Sequence, residues 1–156
     1  MNYTYKIINE DEIKNKFEDL YSIELNSNGD PYSKETFKEI LEHATNTNFV
    51  CFDGDVPVGI ASWNEASKKF NGSIYMVNIS VRTENQRQGI ASKLIQMAID
   101  YYCKKNLDKP FTLEVDKTNI PAFNLYKKMG FEIDETYQDD EQFGMVKPLD
   151  LSIEKK

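Results

Sequence analysis

Ile79-Ser-Val-Arg-Thr-Glu-Asn-Gln-Arg-Gln-Gly-Ile-Ala91 changes period part-way along. Up to Val81 it continues a β-rich run that starts at Ser73, and 82–88 is then wholly polar. From Gly89 to about Asn106, Ile90, Leu94, Ile95, Ala98, Ile99 and Tyr102 fall on or near one helical face. Pro110 ends the connection, and 111–115 reads as a short buried strand. Strand, helix and strand in this order form a right-handed crossover, which makes the two strands parallel neighbours.

Upstream, Asp53-Gly54-Asp55 separates β-rich 49–52 from 56–63, a strong hairpin signal. A longer turn at 66–72 leads into the strand at 73–81, giving three successive antiparallel strands. The chain starts with a strand over 3–8, and Asn9 with Glu12 three positions on then opens a helix with the stripe Ile13, Phe17, Leu20 and Tyr21. Residues 26–31 break the chain, and Ser33 caps a second helix whose apolar face is Phe37, Ile40, Leu41 and Ala44. Downstream, Pro121 and Gly130 bound a short helix, and 131–137 with 143–148 forms a closing hairpin. The expected fold is a single α/β (α+β) domain over 1–156. Its sheet is mixed and mostly antiparallel, with about six to seven strands and one parallel pair, flanked by about four helices.

A chain of 156 residues is the size of one domain, and 40% hydrophobic residues suffice for one core. A net charge of −7 argues against a nucleic acid partner, and no apolar run is long enough to span a membrane. Cys51 and Cys103 show no metal-ligand spacing, so neither a metal site nor a disulfide framework is expected. Two free thiols and no signal peptide suggest a cytoplasmic protein.

Residues 86–92 form a strand-to-helix junction of the kind that binds anions. First-turn N–H groups lack internal partners and carry the positive end of the helix dipole, and Gly89 with Ala91 keeps side-chain bulk away from the backbone. The only two arginines, Arg82 and Arg87, flank this loop. The same glycine also suits an ordinary tight loop, and neither a Walker nor a dinucleotide fingerprint is present.

A second segment, Asn119-Ile-Pro-Ala-Phe-Asn-Leu-Tyr126-Lys-Lys-Met-Gly-Phe131, makes the pattern specific. Q-x-x-G-x-A at 86–91 followed by N-x-x-A-x-x-L-Y-x-x-x-G-F at 119–131 resembles the Gcn5-related N-acetyltransferases, which move an acyl group from acyl-coenzyme A to an amine. The resemblance implies acetyl-coenzyme A as co-substrate. Its pyrophosphate would lie on Gln86, Arg87, Gln88, Gly89, Ile90, Ala91 and Ser92, and its pantetheine arm along the backbone of Ile79 and Val81 on a strand splayed from its parallel neighbour. Asn119 would bond the same arm, and Tyr126 would protonate the leaving thiolate. Two positions depart from the common pattern, Thr83 where proline is frequent and Ala91 where glycine is usual.

Glu114, in L-E-V twelve residues before Tyr126, resembles the base of acetyltransferases that act on ribosomal-protein N-termini. A strand glutamate facing solvent fits the same letters. His43 reads as a surface or packing residue, and Trp63 and Tyr75 as core aromatics that could line a cleft. Acceptor binding is expected at 26–32 and 138–143. Six acids within 132–141, together with Asp30, point to a small cationic amine as the acceptor, with a protein N-terminus as the alternative. A silent coenzyme A-binding module is the reading from another class. The resemblance also allows a homodimer.

Overall fold

A computed structural model describes residues 2–27 and 29–148. Its strands are β1 (Tyr3–Ile7), β2 (Asn46–Asp53), β3 (Val56–Asn64), β4 (Ile74–Val81), β5 (Phe111–Asp116), β6 (Glu132–Ile133) and β7 (Gln142–Lys147). The helices are α1 (Glu10–Leu25), α2 (Lys34–Glu42), α3 (Ile90–Lys104) and α4 (Ile120–Lys128). Hydrogen bonding orders the strands β1-β2-β3-β4-β5-β7-β6, and β4 with β5 is the parallel pair. The expected fold class is the observed one. By internal contacts the chain divides into two units, 1–63 with 77–98 and 64–76 with 99–156.

In the first unit, α1 starts on the capping box read from the sequence: Asn9 accepts from the N–H of Glu12, whose carboxylate accepts from the N–H of Asn9. Both orphan donors are thereby satisfied, a local bargain that needs no tertiary support. Ile13, Leu20 and Ile23 pack with Phe37 and Leu41 of α2 against Val50, Phe52 and Ile60. Ala44 is not on the α2 face as expected. The helix ends at Glu42, and Ala44 is exposed beyond the cap residue His43. Two asparagines explain the early stop, because Asn46 donates to Ile40 O and Asn48 to Leu41 O, each at 2.9 Å, satisfying the last carbonyls of α2. Asn48 also accepts from Ser62 at 2.6 Å, so β2 begins three residues before its apolar run.

In the second unit, β5 pairs with β7 over six positions from Phe111↔Lys147 to Asp116↔Gln142. The parallel register covers Ile74↔Phe111 and Tyr75↔Thr112. The expected strand 131–137 is shorter: β6 is two residues, and a 3₁₀ turn follows at Glu135–Tyr137. Asp134 caps that turn by accepting from Thr136 N at 2.9 Å. The turn lies against Gly144, where a Cβ would come within 2.5 Å of Tyr137 Cβ and 2.8 Å of Tyr137 O. A side chain at 144 would therefore exclude this conformation, and the alternation at 131–137 could not reveal that.

Candidate active site

The anion-binding junction lies in the first unit. Arg87 and Gly89 both have left-handed backbone, φ 65° and 79°, and turn the chain sharply into α3. Lys93 N donates to Gly89 O at 3.0 Å as the first turn closes, and the N–H groups of Ile90, Ala91 and Ser92 precede it in the turn where a helix offers them no carbonyl of its own. A Cβ at Gly89 would meet nothing nearer than Ser92 Oγ at 3.9 Å, so the backbone is open to an approaching phosphate. This exposed helix start fits a pyrophosphate. Gln86 holds the loop by donating to Val81 O at 3.0 Å, while Gln88 accepts from Tyr3 Oη, which itself accepts from Asn85 Nδ2 at 3.1 Å.

Of the two arginines that flank this loop, Arg82 is already engaged. Its guanidinium bonds Ser22 Oγ and, at 3.4 Å, Pro57 O, and lies 3.9 Å from Glu84. It fastens the end of β4 to α1 and β3, while Arg87 is exposed on the loop.

The expected acceptor loop 26–32 is in the same unit, with Asn28 outside the described residues. Asn26 O accepts from Thr83 N at 2.9 Å and Thr83 Oγ1 at 2.7 Å, and Tyr32 Oη donates to Val77 O at 3.3 Å. Beneath it lies Glu24, 3% exposed and absent from the sequence reading. Its carboxylate accepts from Tyr32 N (3.0 Å), Asn78 Nδ2 (3.1 Å) and Ser80 Oγ (2.7 Å), three neutral donors from the loop and from β4. The available signal was an acid four residues after Leu20 on the buried stripe of α1.

The second unit carries the residues expected to do chemistry. Tyr126 of α4 is 5% exposed, and burial alone pushes its phenol up to about 12, with no hydrogen bond contributing. A tyrosine packed only for shape normally ties its hydroxyl to a neighbour. Asn119 has a structural duty, accepting from Ala122 N at 3.2 Å as the N-cap of α4, which leaves its amide donors for a ligand.

Glu114 does not face open solvent. Its side chain is 10% exposed, and it accepts from Lys69 Nζ at 2.8 and 2.9 Å and from Tyr75 Oη at 2.8 Å. Phe70 anchors the segment that brings Lys69, with ring centroids 4.8 Å from Tyr75 and 4.6 Å from Tyr137. The sequence reading missed Lys69 and gave Tyr75 a packing role. Among the described residues, no hydrogen bond joins Glu114 to Tyr126. In the acidic stretch, Asp139 accepts from Glu141 N at 2.9 Å and Gln142 N at 2.7 Å, and these backbone bonds hold its carboxyl below the usual range. Trp63 is fully buried and His43 exposed, as expected.

Residues 16–131 match the acetyltransferase (GNAT) family, and the chain belongs to that family and is an acyltransferase of the N-acetyltransferase type. Among curated relatives it is similar to the putative [ribosomal protein bS18]-alanine N-acetyltransferase of Bacillus subtilis, 29% identical over 72% of each chain. It is also similar to N-alpha-acetyltransferase 50 of Danio rerio, 23% identical over 80% of this chain and 73% of that one. Among solved structures, a chain of the NatC complex bound to Gag peptide and coenzyme A shares the fold, with TM-score 0.78, 23% identity and coverage of 96% and 100%. No group of three or more metal-ligating side chains occurs among the described residues.

Proposed function

We propose that this chain transfers the acetyl group of acetyl-coenzyme A to the α-amine of a protein or peptide N-terminus by direct attack in a ternary complex. The observation that carries the reading is Glu114, a shielded strand carboxylate oriented by Tyr75 and already holding a primary ammonium. The names of the relatives, N-alpha and ribosomal-protein-alanine acetyltransferases, support this acceptor class. An α-amine, with pKa about 8, is easier to neutralise than a lysine or polyamine near 10.4, so a carboxylate acting directly or through water suffices as base. The small cationic acceptor expected from the acidic stretch has less support, because Asp134 and Asp139 cap turns of their own segment.

Acetyl-coenzyme A, when bound, supplies the thioester carbon. The first turn of α3 at 90–92 would hold its pyrophosphate, the backbone of Ile79 and Val81 its pantetheine arm, and Asn119 Nδ2 would add a bond to the arm. Glu114 would take the proton of the acceptor amine, a backbone N–H of β4 would donate to the thioester oxygen, and Tyr126 would give its proton to the leaving thiol sulfur. Neither cysteine is needed as a nucleophile: Cys51 is buried in β2, and Cys103 belongs to α3. A cytoplasmic location belongs to the same proposal.

The test is an acceptor screen that follows coenzyme A release across N-terminal peptides, polyamines, aminoglycosides and amino acids, with mass spectrometry locating the acetyl group. Acetylation of peptide α-amines is the expected result. Turnover of polyamines with inert peptides would restore the small-amine reading. Calorimetric coenzyme A binding without any turnover would identify a silent module.

A further inference from the structure

We propose that Lys69 is a specificity-determining residue: its tethered ammonium holds the acceptor amine's place on Glu114 and excludes small amines that bring no other contacts to the site. The inference rests on the reading of Glu114 as the base that receives the acceptor amine.

The geometry is that of an acceptor already seated. Lys69 Nζ lies within 2.9 Å of both carboxylate oxygens, while Tyr75 Oη fixes one of them from another direction at 2.8 Å. An amine that passes a proton to Glu114, directly or through a water, needs one of the same oxygens, so it and Lys69 compete. The two ends of the contact differ in mobility. The Lys69 side chain is 61% exposed, whereas the adjacent Phe70 is 1% exposed between Tyr75 and Tyr137, and Asn71 Nδ2 donates to Tyr137 Oη at 2.7 Å. The ammonium can swing into water while its backbone stays anchored, and a pair with one partner so exposed is weak enough to exchange.

Tethering turns this weak contact into a threshold. A group held by a short flexible link acts at an effective concentration on the order of millimolar. A free amine with nothing but its ammonium must exceed that concentration, and an acceptor with further contacts along its chain need not. Lys69 thus discriminates by excluding the competitor, in the manner of a repulsive element, and it favours peptides over simple amines without touching the peptide chain.

The experiment compares wild type, Lys69→Gln and Lys69→Arg with n-butylamine as acceptor, following coenzyme A release and checking each fold by thermal melting. Lys69→Gln should raise kcat/KM for n-butylamine at least about fivefold through a lower KM, and Lys69→Arg should leave it near wild type. A lesion in packing would not improve a substrate. The gain should disappear in Lys69→Gln/Glu114→Gln. An unchanged or lower kcat/KM in Lys69→Gln overturns the inference. A gain that survives Glu114→Gln, or a Glu114→Gln single variant with wild-type kcat, overturns instead the reading of Glu114 on which it rests.

Discussion

Replacing Tyr126 with phenylalanine removes one buried oxygen and keeps the ring that packs 6.3 Å from Phe131. Burial raises the phenol to about 12, so it is protonated at neutral pH. It is also a reluctant acid. A thiol resembling cysteine has a pKa of about 8.5, and complete transfer from a phenol at 12 would be uphill by about 5 kcal/mol, so the proton must move while the C–S bond is breaking. A weak acid acting this way belongs at the low end of general-acid effects, and kcat should fall about 10²-fold with acetyl-coenzyme A affinity unchanged. The assay is single-turnover release of coenzyme A at saturating substrates, with calorimetry for the cofactor. The same shift has a linkage consequence. The folded pKa lies above the unfolded value, so the contribution of Tyr126 to stability is fully present below pH 10 and disappears as pH rises to about 12, a loss of about 3 kcal/mol that Tyr126→Phe lacks. A single-turnover rate within twofold of wild type would refute the catalytic role, and equal alkaline destabilisation of both proteins would refute the burial argument.

Gly89→Ala meets no clash but forces a left-handed backbone on alanine, so stability should fall by about 1–2 kcal/mol in urea titration and the acetyl-coenzyme A Kd should rise; an unchanged Kd would remove the pyrophosphate from this turn. Gly144→Ala drives a methyl into Tyr137, and an overpacking loss of about 1–3 kcal/mol should appear as a lower Tm with weaker acceptor binding; an unchanged Tm would show that the 3₁₀ turn yields easily. Glu24→Gln places an amide donor among three donors, at a cost of about 1–3 kcal/mol in chemical denaturation and a higher peptide KM; wild-type stability would mean the carboxylate does not organise the loop. Cys51, whose thiol burial pushes up, should resist iodoacetamide in the native state while partly exposed Cys103 reacts; equal labelling would contradict the placement of β2.

Local chemistry in the sequence determined the elements and their order. The Asn9/Glu12 box, the Ser33 cap, the Asp53-Gly54 turn and the change of period around Gly89 each act over a few residues, and each is found where it was read. The parallel pair of β4 and β5 followed too, because a helix of that length between two strands has one handedness available. Tyr126 and Glu114 were singled out as candidates by the resemblance of their motifs, but their surroundings could not be read from the sequence. Glu24 meets Ser80 across 56 positions and Lys69 meets Glu114 across 45, and no periodicity in the intervening residues marks either contact. The sequence showed that Arg82 flanks the loop, but not that its guanidinium binds Ser22, 60 positions away. The tertiary structure decided these partners because a buried or shielded charge takes whatever donor the folded chain brings within about 3 Å. That proximity is a property of the packed sheet and helices, written nowhere in the residues beside the charge.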